Sequence, residues 1–143
     1  MFPFPSADYQ QQLIVANLDD FTPNAALPNY LGGQFGSQAE AWKHAVIDFL
    51  CVNVKCGLIE ATHKPEIAER RDVSMLRKLL NDGDEKNHMP VDVLWNTLYF
   101  NGTKKLSEFL DEEIMRTWEA VKLEPRPYLI SKLIELYKFY DLD

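Results

Sequence analysis

Residues 37–58 read SQAEAWKHAVIDFLCVNVKCGL, and the fold turns on this stretch. Ser37 and Glu40 have capping-box spacing, so a helix opens here. Gly57 and Leu58 supply the left-handed position and the apolar residue that close one, which predicts an end at Cys56. Between Ala45 and Val54 only Asp48 and Asn53 are polar. A helix so apolar must be the central, most buried one. Trp42, Val46, Phe49 and Asn53 share a face at helical spacing, which makes Asn53 a buried amide in need of partners.

Outward from this helix the start and stop signals keep to one pattern. Pro3 and Pro5 hold the N-terminus extended, and Ser6 is placed to cap a helix to about Leu18 with Tyr9, Leu13 and Ala16 on one face. Phe21 to Gly36 carries two prolines and three glycines and is irregular. Its apolar residues Phe21, Leu27, Tyr30, Leu31 and Phe35 predict that it packs onto the body. Leu58 to Thr62 suits a short extended piece. Pro65 opens a short helix to Arg71, and Asp72 or Ser74 caps the next, ending near Asn81-Asp82-Gly83. Pro90 opens another, with Val91, Leu94, Trp95 and Leu98 inward and Gly102 as its stop. Pro127 starts the last, to about Tyr140. The expectation is all-α, a compact bundle of about six or seven helices forming one domain over residues 1–143.

The segment between Thr103 and Leu123 reads as a further helix with an acidic outer face. At 100° per residue Leu106, Phe109, Leu110, Ile114, Trp118 and Val121 fall on one side. Glu108, Glu112, Met115 and Glu119 form a row on the other, and Lys105 and Arg116 neutralise it in part. Glu113 falls inward and needs a cation, an indole N–H or the rim. On the last helix Leu129, Leu133 and Tyr137 belong to the wide core face, while Tyr128 and Phe139 point away with Lys132 between them. Aromatics off the core face enrich protein-binding surfaces.

The 143 residues carry net charge −7 and are 46% hydrophobic. That supplies a core without help from a disulfide or metal, and it repels polyanions. A direct nucleic-acid interface is therefore not expected, although Arg70, Arg71, Arg77 and Lys78 form one basic cluster. Its simplest role is to neutralise Asp72, Asp82 or Asp84. No apolar run approaches a membrane span, and Met1 to Pro5 lacks the basic region of a signal peptide. Cys51 and Cys56 lie about 140° apart on one helix, so reduced core thiols and a cytoplasmic setting are expected.

No catalytic motif is complete. Glu60-x-x-His63 and Glu85-x-x-His88 have di-metal spacing, but Pro65, Gly83 and Pro90 break the helices such sites need. His44 and Asp48 are four apart without a nucleophile to serve. Gly32-Gly33-Gln34-Phe35-Gly36 lacks the Gly-Lys-Ser/Thr ending of a phosphate loop. Asn101-Gly102-Thr103 matches a glycosylation sequon, but Gly102 and Thr103 already serve as stop and cap. No catalytic residue, metal or cofactor is expected.

The Trp42 to Ile59 helix-and-stop, the Val91 to Phe100 helix with Trp95 and the acidic Glu108–Glu119 helix together resemble the small acidic immunity proteins with which bacteria neutralise a sister toxin. That resemblance implies one-to-one binding of a basic cognate toxin domain, such as a nuclease, with acidic and aromatic side chains blocking its active site. The residues available for partner binding are Glu108, Glu112, Met115, Glu119, Tyr128 and Phe139, together with the Asp82, Asp84 and Glu85 loop. A helical adaptor or subunit of a larger assembly is the alternative reading, and a metal-dependent enzyme a more distant one.

Overall fold

A computed structural model describes residues 4–62, 73–111 and 115–141. The helix expected at 65–71, and with it His63, Arg70, Arg71 and Asp72, falls outside these residues. So do Glu112, Glu113 and Ile114.

Among the described residues the domain has six α-helices and one small hairpin of strands. The helices are α1 (Ser6–Leu18), α2 (Ala39–Lys55), α3 (Ser74–Asp82), α4 (Val91–Thr97), α5 (Lys104–Asp111) and α6 (Pro127–Asp141). The strands are β1 (Ile59–Ala61) and β2 (Phe100–Gly102), paired antiparallel with Glu60 opposite Asn101. Phe21 bridges the other edge of β2 through a reciprocal pair of backbone hydrogen bonds with Phe100.

The central helix is the one expected. Trp42, Val46, Ile47, Phe49, Leu50 and Val54 of α2 are all buried. Its end is a Schellman closure: the Leu58 N–H donates to the Asn53 carbonyl and the Gly57 N–H to that of Val54. Gly57 holds φ +82°, a region where a side chain clashes with the backbone. Asn53 is buried and satisfied. Its Nδ2 donates to the Phe49 carbonyl at 2.8 Å, and its Oδ1 accepts from the Tyr137 hydroxyl at 2.8 Å. The opening differs from expectation. Gln38 occupies the cap position and no side chain caps it, so the Ser37–Glu40 box is not formed. Nor does Ser6 cap α1: it is the first helical residue, and Pro5 stands at the cap.

Tyr9 of α1 meets Phe49 edge-on at 4.8 Å and lies 6.2 Å from the Tyr137 ring of α6. Such pairs contribute about 0.5–1.5 kcal/mol each beyond their buried area. They tie the first, central and last helices together. Burial pushes the Tyr9 and Tyr137 hydroxyls above their ordinary range, and pushes the Cys51 thiol up to about 11. Cys51 and Cys56 are buried thiols, and Cys56 Sγ donates to the Asn53 carbonyl at 3.6 Å.

Two expected helices are shorter than their periodicity predicts. The Pro90 helix ends at Thr97, and Gly102, read as its stop, lies in β2. The reason is tertiary: Phe100 is buried between Phe21 and Ala61, and extended backbone lets it pair with both. The Thr103 helix is described from Lys104 to Asp111, and by Met115 the chain has left it. Its start is as read, with Thr103 Oγ1 accepting from the Leu106 N–H while donating to the Gly57 carbonyl. Beyond it Met115 to Thr117 are not helical, and a tight turn follows at Trp118–Lys122, capped by Thr117.

Candidate protein-binding surface

With Met115 to Thr117 out of the helix, the acidic face is rebuilt. Met115 does not stand in an outer row with Glu108 and Glu119. It is fully buried, with its N–H bonded to the Leu110 carbonyl. A thioether gains more from a core seat than from water, and leaving the helix lets Met115 reach one. Trp118 moves the opposite way. Read as core, it is 57% exposed, because the turn that carries it buries Ala120 against α1 instead. Glu108 and Glu119 are both exposed but sit on different elements.

The outer face of α6 is as expected. Tyr128 is 63% and Phe139 67% exposed, while Leu129, Leu133 and Tyr137 are buried on the inner side. Tyr128, Lys132, Glu135 and Phe139 follow one another at i, i+4, i+7 and i+11. That is a single stripe roughly 16 Å long at a rise of 1.5 Å per residue. Lys132 bridges two helices: its Nζ lies 4.5 Å from the Phe109 ring centroid and 5.2 Å from that of Tyr128, and donates to the Phe109 carbonyl. The Phe21–Gly36 segment leaves Tyr128 and Phe139 open to solvent.

Exposed carboxylates stand on α5, on the turn after it and on α6. Glu108 lies 3.8 Å from Lys104, and Asp111 3.5 Å from Arg116. Both pairs are exposed, and such pairs hold their charges loosely. Glu119, Glu124 and Glu135 are exposed on the turn, on the segment after it and on α6. The segment between turn and helix is pinned from inside. Gln10 of α1, fully buried, donates from Nε2 to the Glu124 carbonyl and accepts from the Arg126 N–H through Oε1.

The loop at Asp82, Asp84 and Glu85 is a weaker candidate. Asp84 is turned inward and caps its own turn, accepting from the Asn87 backbone and side-chain amides. Asp82 and Glu85 are exposed, but the groove of about 430 Å³ beside them is also lined by Lys78 and Lys86. Its charge is mixed.

The candidate chemistry is not assembled in the described residues. Glu60 lies on β1 and not on the helix its motif needs, and His63 falls outside the described residues. Glu85 and His88 sit on a tight turn and its left-handed end, both exposed. Asp48 pairs with Arg77 at 3.1 Å rather than orienting the exposed His44. Arg77 therefore neutralises Asp48, which is not among the aspartates expected. No cluster of metal-ligating side chains occurs among the described residues, and none of their helices is long and apolar enough to cross a membrane. No family model, curated protein or solved structure matches the chain.

Proposed function

We propose that this domain is a non-catalytic inhibitor that binds a basic protein, acting in the cytoplasm as the immunity partner of a bacterial toxin. One observation carries the reading. Trp118, Tyr128 and Phe139 remain in water although the domain has a complete core without them. Large aromatics held outside a finished core supply the anchors of protein interfaces.

The surrounding charge selects the partner. A chain of net charge −7 attracts a basic surface and speeds its arrival. The active site of a nuclease is basic because its substrate is a polyanion, so a nuclease domain fits best. Glu119, Glu124 and Glu135 would meet the cations that otherwise hold phosphates, while the three aromatics slow dissociation.

The experiment starts from the neighbouring reading frames: where one encodes a large secreted protein, its C-terminal domain is co-expressed with this chain. The expected result is restored growth and a one-to-one complex whose association slows as salt is raised. Full toxicity in the presence of the folded domain would rule the reading out. A complex that forms without neutralising the toxin would favour an adaptor role.

A further inference from the structure

Tyr128 stands on the first turn of α6, and Lys132 follows it at i+4, one turn along the same face. An exposed tyrosine at a helix start is free to move among its staggered χ1 wells. This ring has a neighbour that restrains it. The Lys132 ammonium stands over it at 5.2 Å from the centroid, inside the distance of about 6 Å at which a ring face holds a cation. The same ammonium stands over the Phe109 ring of α5 at 4.5 Å and donates to the Phe109 carbonyl at 3.3 Å. Phe109 is itself packed against the core, and Lys132 is half-buried. Support therefore runs outward from the core through Phe109 and Lys132 to Tyr128.

The other exposed aromatic of the stripe is supported in the same way. Lys105 of α5 donates to the Cys56 carbonyl at 2.6 Å, at the end of α2, and stands 5.0 Å over the Tyr140 ring. Tyr140 in turn meets the Phe139 ring near edge-on at 5.1 Å. Each exposed aromatic thus leads back through a lysine to a backbone carbonyl outside α6. By charge alone both lysines would oppose a basic partner, yet both are turned toward rings and carbonyls.

We propose that Lys132 is a positioning residue for the partner-binding surface, holding the Tyr128 ring in the orientation that the partner meets. This role rests on α6 being the interface, as proposed above, and adds how its anchor is held. A residue acting there by charge alone would repel a basic partner, and its removal would speed association. A positioning residue acts by preorganisation: a ring already ordered in the free protein loses less freedom on binding. Its removal weakens the complex even though the chain becomes more negative by one charge. The effect falls on dissociation, because charges govern encounter and ordered anchors govern residence time.

Two variants of the full chain test it, with urea midpoints to check that each folds. Lys132→Met keeps the aliphatic stem and removes the ammonium, while Lys132→Arg keeps a cation that stacks on rings. In the free protein, three-bond couplings across the Tyr128 Cα–Cβ bond read the ring's rotamer without any partner. The expected result is one χ1 well in the native chain and in Lys132→Arg, and averaging over wells in Lys132→Met. Against the basic domain that co-expression identifies, Lys132→Met should raise the dissociation rate roughly three- to tenfold, the size expected for ordering one side chain. Lys132→Arg should restore the native rate, and in neither variant should association slow. Native couplings already averaged, or couplings that Lys132→Met leaves unchanged, would overturn the proposal whatever the partner. So would unchanged or slower dissociation of Lys132→Met where Tyr128→Ser does weaken the complex. Tyr128→Ser without effect on the complex is a different failure: it removes Tyr128 from the interface, and the role of Lys132 falls with it.

Discussion

Helices α1 and α6 invert the usual distribution of side chains in opposite ways. α1 buries two glutamines, Gln10 and Gln12; α6 exposes two large aromatics, Tyr128 and Phe139. The buried amides are used internally. Gln10 bonds both Glu124 and Arg126, and Gln12 takes the Leu27 N–H, so α1 grips the two irregular stretches that fold over the core. The exposed aromatics touch only surface neighbours, Tyr128 the Lys132 ammonium and Phe139 the Tyr140 ring, while the inner face of α6 is filled by Leu129, Leu133 and Tyr137. A misplaced polar residue with partners is structural, whereas a misplaced apolar residue with an open face points to something outside the chain.

The inner face of α6 sets the scale for breaking this contrast. Leu133→Ala should lower unfolding free energy by about 2–5 kcal/mol in urea denaturation, as deletion from a close-packed core does. Gln10→Leu should cost about 1–3 kcal/mol, because it leaves the Arg126 N–H without its acceptor. Loss no greater than at a surface site would mean that α1 does not grip the segment before α6.

Alkaline pH sharpens the same point. Burial raises the folded-state pKa of Tyr9, Tyr137 and Cys51 above the unfolded values. Their stabilising contribution is complete below about pH 8.5 and fades above it, first for the thiol and then, past about pH 10, for the phenols. Unfolding free energy measured against pH should therefore fall through that window, and Tyr137→Phe should flatten the upper part of the fall.

The smallest effects belong outside. Tyr128→Ser and Phe139→Ser should each leave stability within about 0.5 kcal/mol of the native chain. Glu108→Lys together with Glu119→Lys should keep the fold while slowing association with a basic partner and reducing its salt dependence, followed by stopped flow. An unchanged rate and salt slope would remove those two carboxylates from the interface.

The central helix was legible because local and tertiary signals coincide there. Its apolar run, the Gly57-Leu58 stop and the lone Asn53 all point to one buried helix. Residues 103–123 misled because periodicity is a local signal and the core seat taken by Met115 is not. Two features of that stretch did mark the break. Asp111-Glu112-Glu113 puts three acids in succession, which the dipole disfavours toward the C-terminal end of a helix, and Thr117 stands three residues before the Ala120 N–H it caps. Phe35, expected to pack onto the body but 91% exposed at the end of a tight turn at Gly33–Phe35, escaped for a different reason: counting apolar residues in a loop says nothing of their direction. Gln12 lay in view between Tyr9, Leu13 and Ala16, on a face read for its apolar members alone. On the candidate surface, Tyr128 and Phe139 were legible from α6 periodicity, whereas Trp118 was not, since its exposure follows from the same break.

The central claim is that the aromatics outside the core serve a partner and not the fold. The direct measurement is the affinity of the double variant Tyr128→Ser, Phe139→Ser for the basic partner that co-expression identifies, with its urea midpoint measured on the same preparation. The account predicts an unchanged midpoint and an affinity lower by roughly a hundredfold, as two anchors of about 1.4 kcal/mol each would give. Undiminished affinity, or a midpoint that falls with it, would contradict the claim.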